Sequence, residues 1–232
     1  MSTSMFEDRT EAGRLLAGEI AALSPHDPVV LALPRGGVPV ADPIAGALNA
    51  PLDLVIVRKV GAPANPELAV AAIVDGNPPD VVLNREMVEA YGLSEEELDA
   101  LVKQERPELE RRAHAYRSGR KALSVTGKTA ILVDDGAATG TTMRVAIRAM
   151  RRRSPRAILV ALPVAPAGTV QELRLEADRV VCLSQPAQFR ALSLHYRDFH
   201  QLTDEEVTLT LHAAARRRRT VLADWRKRKD AG

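Results

Sequence analysis

Cysteine is nearly missing from this sequence, in which Cys182 is the one thiol among 232 residues. No disulfide framework can form within the chain, so a reducing compartment is expected. Cys182 sits in the apolar run Val180-Val181-Cys182-Leu183 and reads as a small buried hydrophobe rather than a catalytic thiol. Aromatic residues are scarce too, at 3%. The core must therefore be built from Ala, Val, Leu and Ile, and any aromatic cluster stands out. The formal net charge is only +2, which does not by itself mark a nucleic-acid binder. No apolar run reaches membrane-spanning length, and Met1 to Glu11 is too polar and acidic for a signal peptide. These absences predict a soluble, cytoplasmic protein with no membrane partner.

What is present is alternation. Apolar periodicity predicts a helix over 6–23, ended by Ser24-Pro25-His26-Asp27-Pro28. Val29 to Leu33 reads as a strand buried on both faces. Further strands are expected at 52–57, 68–74, 81–83, 129–133, 156–164 and 179–183, with a turn at 75–79. Helices are expected at 40–48, with Pro43 in the first turn, and at 141–153 and 167–175. Ser94 to Glu97 and Thr203 to Glu206 have capping-box spacing. The first opens a charged helix to about Arg117, interrupted at Pro107, and the second a helix toward Arg216. Strands alternating with helices predict an α/β fold: a doubly wound, mostly parallel sheet flanked by helices. The length suits a single domain over 1–232. Its expected parts are a core at about 28–185, a helical arm at about 85–121 and a C-terminal hood and helix at about 186–232.

One segment carries chemistry. Ala130 to Val133 feeds into Asp134-Asp135-Gly136-Ala137-Ala138-Thr139-Gly140-Thr141-Thr142, and a helix follows. A strand, a small-residue turn and a helix N-terminus make an anion site, because free N–H groups and the positive helix end both face the turn. Small residues let a phosphate approach the backbone, and Thr139, Thr141 and Thr142 add hydroxyl donors. Asp134 and Asp135 cannot bind phosphate. They can accept hydrogen bonds from sugar hydroxyls or hold waters on a metal. The plainer alternative is that they end a strand and cap a helix. The turn has no lysine, unlike a P-loop, and its acids come first, unlike the dinucleotide fingerprint.

This motif resembles the signature of the type I phosphoribosyltransferases, in which an apolar strand, two acids and a loop ending in Thr-Gly-Thr/Lys-Thr follow one another. A bacterial branch of that family is also similar at Phe6 to Arg9, Ala12-Gly13, Leu33 to Ala41, Val57 to Pro63, Phe189 to Phe199 and Asp204 to Val207. The resemblance implies a type I phosphoribosyltransferase-like fold and transfer of phosphoribose from phosphoribosyl pyrophosphate to a nucleobase-like acceptor, with Mg2+. It places Asp134 and Asp135 on the ribose, and on the metal through water. It places Gly136 to Thr142 on the 5′-phosphate. Arg35, Gly36 and Gly37 would cradle the pyrophosphate in a loop where members often strain a peptide bond. Arg58 and Lys59, ending the second strand, would reach the same group. A flexible basic loop is expected, and the arm with Arg106, Arg111, Arg112, Arg117, Arg120 and Lys121 is the candidate, a solvated helix face being the alternative. Phe189 and Tyr196 are base-stacking candidates and His195 a candidate base, against ordinary packing of a terminal subdomain. A homodimer is expected.

One position departs from the family. Members that use 6-oxopurines carry an aspartate where Ala138 stands, so this loop supplies no proton acceptor. That leaves a second reading open: a non-catalytic regulator that senses phosphoribosyl pyrophosphate or a nucleotide. RNA contact would then use the basic tail, Arg216 to Arg219 with Arg226 to Lys229.

Overall fold

The computed structural model describes residues 5–63, 65–76 and 78–230. Met1 to Ser4, Asn77 of the expected turn and the side chains of Arg226, Lys227, Arg228 and Lys229 lie outside the described residues. In chain order the elements are α1 Arg9–Ala22, β1 Pro28–Ala32, α2 Gly37–Ala47, β2 Leu52–Leu54, β3 Val57–Ala62, β4 Asn65–Val74 and β5 Asp80–Leu83. Then come α3 Arg85–Ala90, α4 Glu95–Arg117, β6 Thr129–Val133, α5 Thr141–Arg152, β7 Ala157–Val164, α6 Ala167–Glu176, β8 Arg179–Ser184 and α7 Asp204–Asp230.

Five strands form one sheet in the order β2-β1-β6-β7-β8, and every neighbouring pair is parallel. Continuous apolar strands belong in such a sheet because both faces are covered. On one face Leu16 and Ile20 of α1 pack with Val38 and Ile44 of α2. On the other, Met143, Ile147 and Met150 of α5 pack with Val170 and Leu173 of α6. The chain leaves β1 toward β2 but leaves β6 toward β7. The crevice between the carboxyl ends of β1 and β6 is therefore the topological switch point, where open α/β sheets bind ligands. Ala32 pairs with Val133, so the two strands end level.

Several sequence expectations need correction. The strand expected at 52–57 is two strands: Leu52–Leu54 stays in the parallel sheet, and Val57–Ala62 starts a separate antiparallel sheet in the order β3-β4-β5. An apolar run carries no signal for changing sheets. The change is held by the Ile56 N–H, which donates to Asp75 Oδ1 at 2.6 Å. Arg58 and Lys59 thus lie within a hairpin strand and do not end a sheet strand. The helix expected from Val40 begins at Gly37, so Pro39 occupies the first turn and Pro43 the interior. Pro107 does not interrupt α4. Both Pro107 and Lys103, whose carbonyl loses its donor there, face solvent, so water can take that carbonyl. Helix α7 continues past Arg216 to Asp230.

Nor is α4 a free arm. Its capping box forms as expected, and Leu98, Val102, Leu109 and Tyr116 are buried. At its end Arg117 is buried between Asp53, 2.7 Å away, and Asp75, 2.6 Å away. That residue is structural and leaves the candidate lid. Among the described residues, no helix is long and apolar enough to cross a membrane.

Candidate active site

Strand β6 delivers Asp134 and Asp135 to the switch point. The chain can turn there because Gly136 has φ 153°, and a side chain would meet Leu192 Cδ1 at 2.2 Å. The loop is then pinned from two sides. The Ala137 N–H donates to the Val164 carbonyl at 3.0 Å, and Thr169 Oγ1 donates to the Ala138 carbonyl at 2.7 Å. Gly140, at φ 67°, launches α5, and no side chain caps it. Thr139, Thr141 and Thr142 remain exposed around these first backbone N–H groups, with Thr139 and Thr141 hydroxyls 3.1 Å apart. The result is an uncapped helix start ringed by hydroxyl donors, ready for an anion.

The Arg35–Gly37 loop after β1 closes against this segment from the other strand. A side chain on Gly36 would sit 2.1 Å from an Asp135 carboxylate oxygen, and one on Gly37 would sit 2.5 Å from the Val133 carbonyl. Both glycines are needed for that approach. The Pro34–Arg35 peptide bond is cis. The Gly37 N–H donates to the Leu33 carbonyl at 3.0 Å and so does not face a ligand, which removes one donor from the cradle expected of Arg35, Gly36 and Gly37.

The two acids have different surroundings. Asp134 is half-buried, and its Oδ1 accepts from the Asp135 N–H at 2.9 Å. Asp135 is buried, and its Oδ2 accepts from Arg9 Nε at 2.7 Å. Arg9 also donates from Nη1 to the His200 carbonyl at 3.0 Å, and its guanidinium lies 3.8 Å from the Phe199 ring centroid. Burial raises the pKa of both acids. The charge of Asp135 raises Asp134 well above the ordinary carboxylate range, whereas Arg9 opposes the rise at Asp135.

Tyr196 is not a base-stacking group. It is buried between Phe6 and Phe199, at ring separations of 5.5 and 5.1 Å, and its hydroxyl donates to the Asp135 carbonyl at 2.5 Å. His195 is buried as well, stacked on half-buried Phe189 at 5.3 Å, and this packing leaves it poorly placed as a base. The hood is thus a clasp. The Phe6 N–H donates to His195 and the Arg197 N–H donates to Phe6, each at 2.9 Å.

Arg58 and Lys59 point to opposite faces of β3, as strand alternation requires. Arg58 is paired with Glu105 of α4. Lys59 is exposed and lines a cavity of about 460 Å³ that Thr141, Thr142 and Arg144 also line. The structure therefore brings Lys59, and not Arg58, toward the start of α5.

Arg9, Phe199 and the His200 carbonyl were missed as site residues by sequence reasoning. Phe6 to Arg9 and Phe189 to Phe199 both stood out by resemblance, but no spacing rule shows that residue 9 meets residue 135.

Among the described residues, no three His, Cys, Asp or Glu side chains cluster as a metal cage. Two adjacent carboxylates beside an anion site instead suit magnesium, which keeps several waters and shares itself with substrate phosphates.

Small-residue loops from two adjacent parallel strands, an acid pair and an uncapped helix start define the switch-point site of a type I phosphoribosyltransferase fold. The chain belongs to the family described as "Phosphoribosyl transferase domain", which matches residues 3–196. It is 44% identical over 212 residues to two Mycobacterium tuberculosis proteins, from strains H37Rv and CDC 1551, named "Putative phosphoribosyl transferase Rv0571c" and "Putative phosphoribosyl transferase MT0597". That match covers 91% of this chain and 47% of each relative, so the chain spans about half their length. The crystal structure of TT1426 from Thermus thermophilus is similar at a TM-score of 0.79 and 42% identity, covering 89% of this chain and 97% of that one.

Proposed function

We propose that this protein transfers phosphoribose from phosphoribosyl pyrophosphate to a nitrogenous acceptor and releases pyrophosphate. The observation that carries this reading is the meeting of the Arg35–Gly37 loop with Asp134 to Thr142 at the switch point, with Gly36 against the Asp135 carboxylate. In this reading Thr139, Thr141, Thr142 and the backbone of 136–142, apart from the Ala137 N–H that the Val164 carbonyl engages, hold the 5′-phosphate. Asp134, half-buried and without an ion pair among the described residues, accepts from a ribose hydroxyl, and Arg9 holds Asp135 beside it. Arg35, Gly36 and Lys59 face the pyrophosphate, and Arg58 joins them on release from Glu105.

The bond from ribose C1 to the pyrophosphate oxygen breaks, and a bond from the acceptor nitrogen to C1 forms on the opposite face. Positive charge gathers on the ribose ring, where the acid pair stabilises it, and negative charge on the departing group, where the cations do. Magnesium, when bound, supplies charge neutralisation to that leaving group, with Asp134 and Asp135 holding its waters. Ala138 is exposed and offers no proton acceptor, so the acceptor nitrogen arrives already anionic or loses its proton elsewhere. The proposed working form is a cytoplasmic homodimer, which the family resemblance supports.

The regulator reading has less support. Part of the basic run is used within the fold, because Arg217 pairs with Asp42 at 2.6 Å.

Calorimetry with phosphoribosyl pyrophosphate and magnesium tests the site. Saturable binding that Asp134→Asn weakens about tenfold or more is expected, the loss of one charge-assisted contact. Pyrophosphate release on adding nitrogenous acceptors then tests the reaction. No binding at any accessible concentration would overturn the reading.

A further inference from the structure

We propose that this protein carries a second anion site, in a cavity beside Arg35, that takes a small ligand bearing a phosphoryl group. The cavity measures about 390 Å³, within the range of roughly 300–1,000 Å³ usual for small-ligand sites. Its walls are Arg35, Arg111, Arg112, Tyr116 and Asp204, and its apolar side is Ile56 and Val57. The crevice at Asp135 is a different cavity, lined by Arg9, Gly36 and Phe199, and Arg35 is the one residue that lines both.

Three guanidinium groups reach this space from two separate parts of the chain. Arg111 and Arg112 are neighbours on α4 and would point in different directions from a bare helix. Glu108, one turn earlier, gathers them. Its Oε2 accepts from Arg111 Nε and its Oε1 from Arg112 Nε, each at 2.7 Å. The two arginines hold the Glu108 pKa down to about 2, so the clamp stays charged across the working range. Arg111 keeps Nη1 unclaimed and Arg112 keeps both Nη atoms unclaimed among the described residues. Arg35 has no carboxylate at hydrogen-bond distance, the nearest being Asp204 at 3.8 Å. Forked, unclaimed N–H donors converging on one space suit the tetrahedral oxygens of a phosphoryl group.

Asp204 currently provides the negative charge in this space. It opens α7, accepts from the Tyr116 hydroxyl at 2.6 Å and faces Arg35. Three guanidinium groups against Glu108 and Asp204 leave one positive charge uncompensated. An entering phosphoryl group fills that deficit and competes with Asp204 for Arg35. The two arginines should therefore favour the ligand and the carboxylate oppose it. Asp204→Asn keeps the oxygen that Tyr116 needs and removes only the charge. These opposite signs distinguish a binding site from arginines that merely solvate a helix.

The test is titration of the full chain with inorganic pyrophosphate, with and without saturating phosphoribosyl pyrophosphate and magnesium. Pyrophosphate should still bind when phosphoribosyl pyrophosphate fills the first site. That residual binding should fall about tenfold or more in the double variant Arg111→Gln/Arg112→Gln and tighten about threefold or more in Asp204→Asn, as loss or gain of a charge-assisted contact predicts. Inorganic phosphate and adenosine 5′-monophosphate, titrated in the same way, separate a free anion from a phosphate ester as the ligand. The proposal is overturned if phosphoribosyl pyrophosphate abolishes all pyrophosphate binding, since the arginines would then belong to the first site. It is overturned equally if the double variant binds as the wild type does, or if Asp204→Asn weakens binding. A chain that fails to bind phosphoribosyl pyrophosphate yet keeps arginine-dependent pyrophosphate binding would sink the proposed function and leave this site standing.

Discussion

Arg117 is buried between Asp53 and Asp75, and Arg9 is buried against Asp135. Each pair joins distant parts of the chain, yet the two clusters are filled differently. Around Arg117 every carboxylate oxygen has a partner. Asp53 Oδ1 accepts from Arg117 and Leu54, and its Oδ2 accepts from Leu123. Asp75 Oδ1 accepts from Ile56, and its Oδ2 meets Arg117. A second guanidinium group, from Arg153, donates to the Asp75 carbonyl at 2.5 Å and to Asp80. This cluster ties the parallel sheet, the antiparallel sheet and α4 into one body, with every oxygen of its two central carboxylates engaged. Around Arg9 the balance is incomplete. One guanidinium serves two adjacent carboxylates: Arg9 pairs with Asp135, and Asp134 has no ion pair of its own among the described residues. A satisfied buried network stabilises, whereas an unsatisfied one at a crevice is held ready for something to complete it.

Substitutions can break this comparison. The largest effect is expected from Arg117→Met, which strands two buried carboxylates and should cost about 3–5 kcal/mol in urea denaturation. A loss below about 1 kcal/mol would mean that the filled cluster is not what joins the sheets. Next comes Gly36→Ala, whose methyl group would meet the Asp135 carboxylate at 2.1 Å. Phosphoribosyl pyrophosphate affinity should fall about 100-fold, or about 2.7 kcal/mol, with a smaller change in melting temperature. Wild-type affinity in that variant would remove the Asp135 crevice from the ligand's path.

Asp134→Asn sharpens the contrast by separating stability from binding. The folded chain holds the Asp134 pKa above its ordinary 3.8, so folding favours the protonated form. That stabilisation is present below the unfolded pKa and is lost as pH rises through the folded pKa. At neutral pH the ionised carboxylate is therefore a cost. The variant should melt higher than the wild type at neutral pH, lose that advantage in acid, and bind ligand worse. A lower melting temperature at neutral pH would contradict the unfilled character of this cluster.

The smallest effect is at His200, exposed and hydrogen-bonded to Glu206 and Asp198. Both partners raise its pKa above 6.5, and the Thr203 backbone N–H, followed by His200, holds Glu206 down to about 2. Stabilisation from this pair is present below the unfolded pKa of His200 and fades as pH rises through the folded one. An NMR titration should place the His200 midpoint above 6.5, and Glu206→Gln should lower it. An unchanged midpoint in the variant would break the assignment.

The sequence was most legible where local rules act alone. The apolar strands Pro28–Ala32 and Thr129–Val133, the capping boxes at Ser94 and Thr203, and the Asp134 to Thr142 turn all formed where spacing predicts them. It was least legible where distant partners decide. The Val55 N–H still bonds the Ala32 carbonyl of β1, and the chain leaves the parallel sheet at Ile56, where Asp75 captures the N–H; nothing within 52–57 announces that. Arg117 reads as one charge in a wet run until Asp53 and Asp75 close on it. Tyr196 reads as an available aromatic, but Phe6, Phe199 and the Asp135 carbonyl occupy it. Pairing across such distances depends on the assembled fold, which periodicity does not encode.

The hood clasp also sets an order of events during synthesis. Asp135 and Tyr196 are separated by 61 positions, and the Phe199 to His200 segment that seats Arg9 comes later still. At about 5–20 residues per second, the ribosome takes on the order of 3–12 s to add that stretch. During this interval the strand carrying the acid pair already exists, but the clasp that seats Arg9 against Asp135 does not. The nascent chain can therefore build its parallel sheet first and acquire a finished ligand crevice only when the hood emerges and closes.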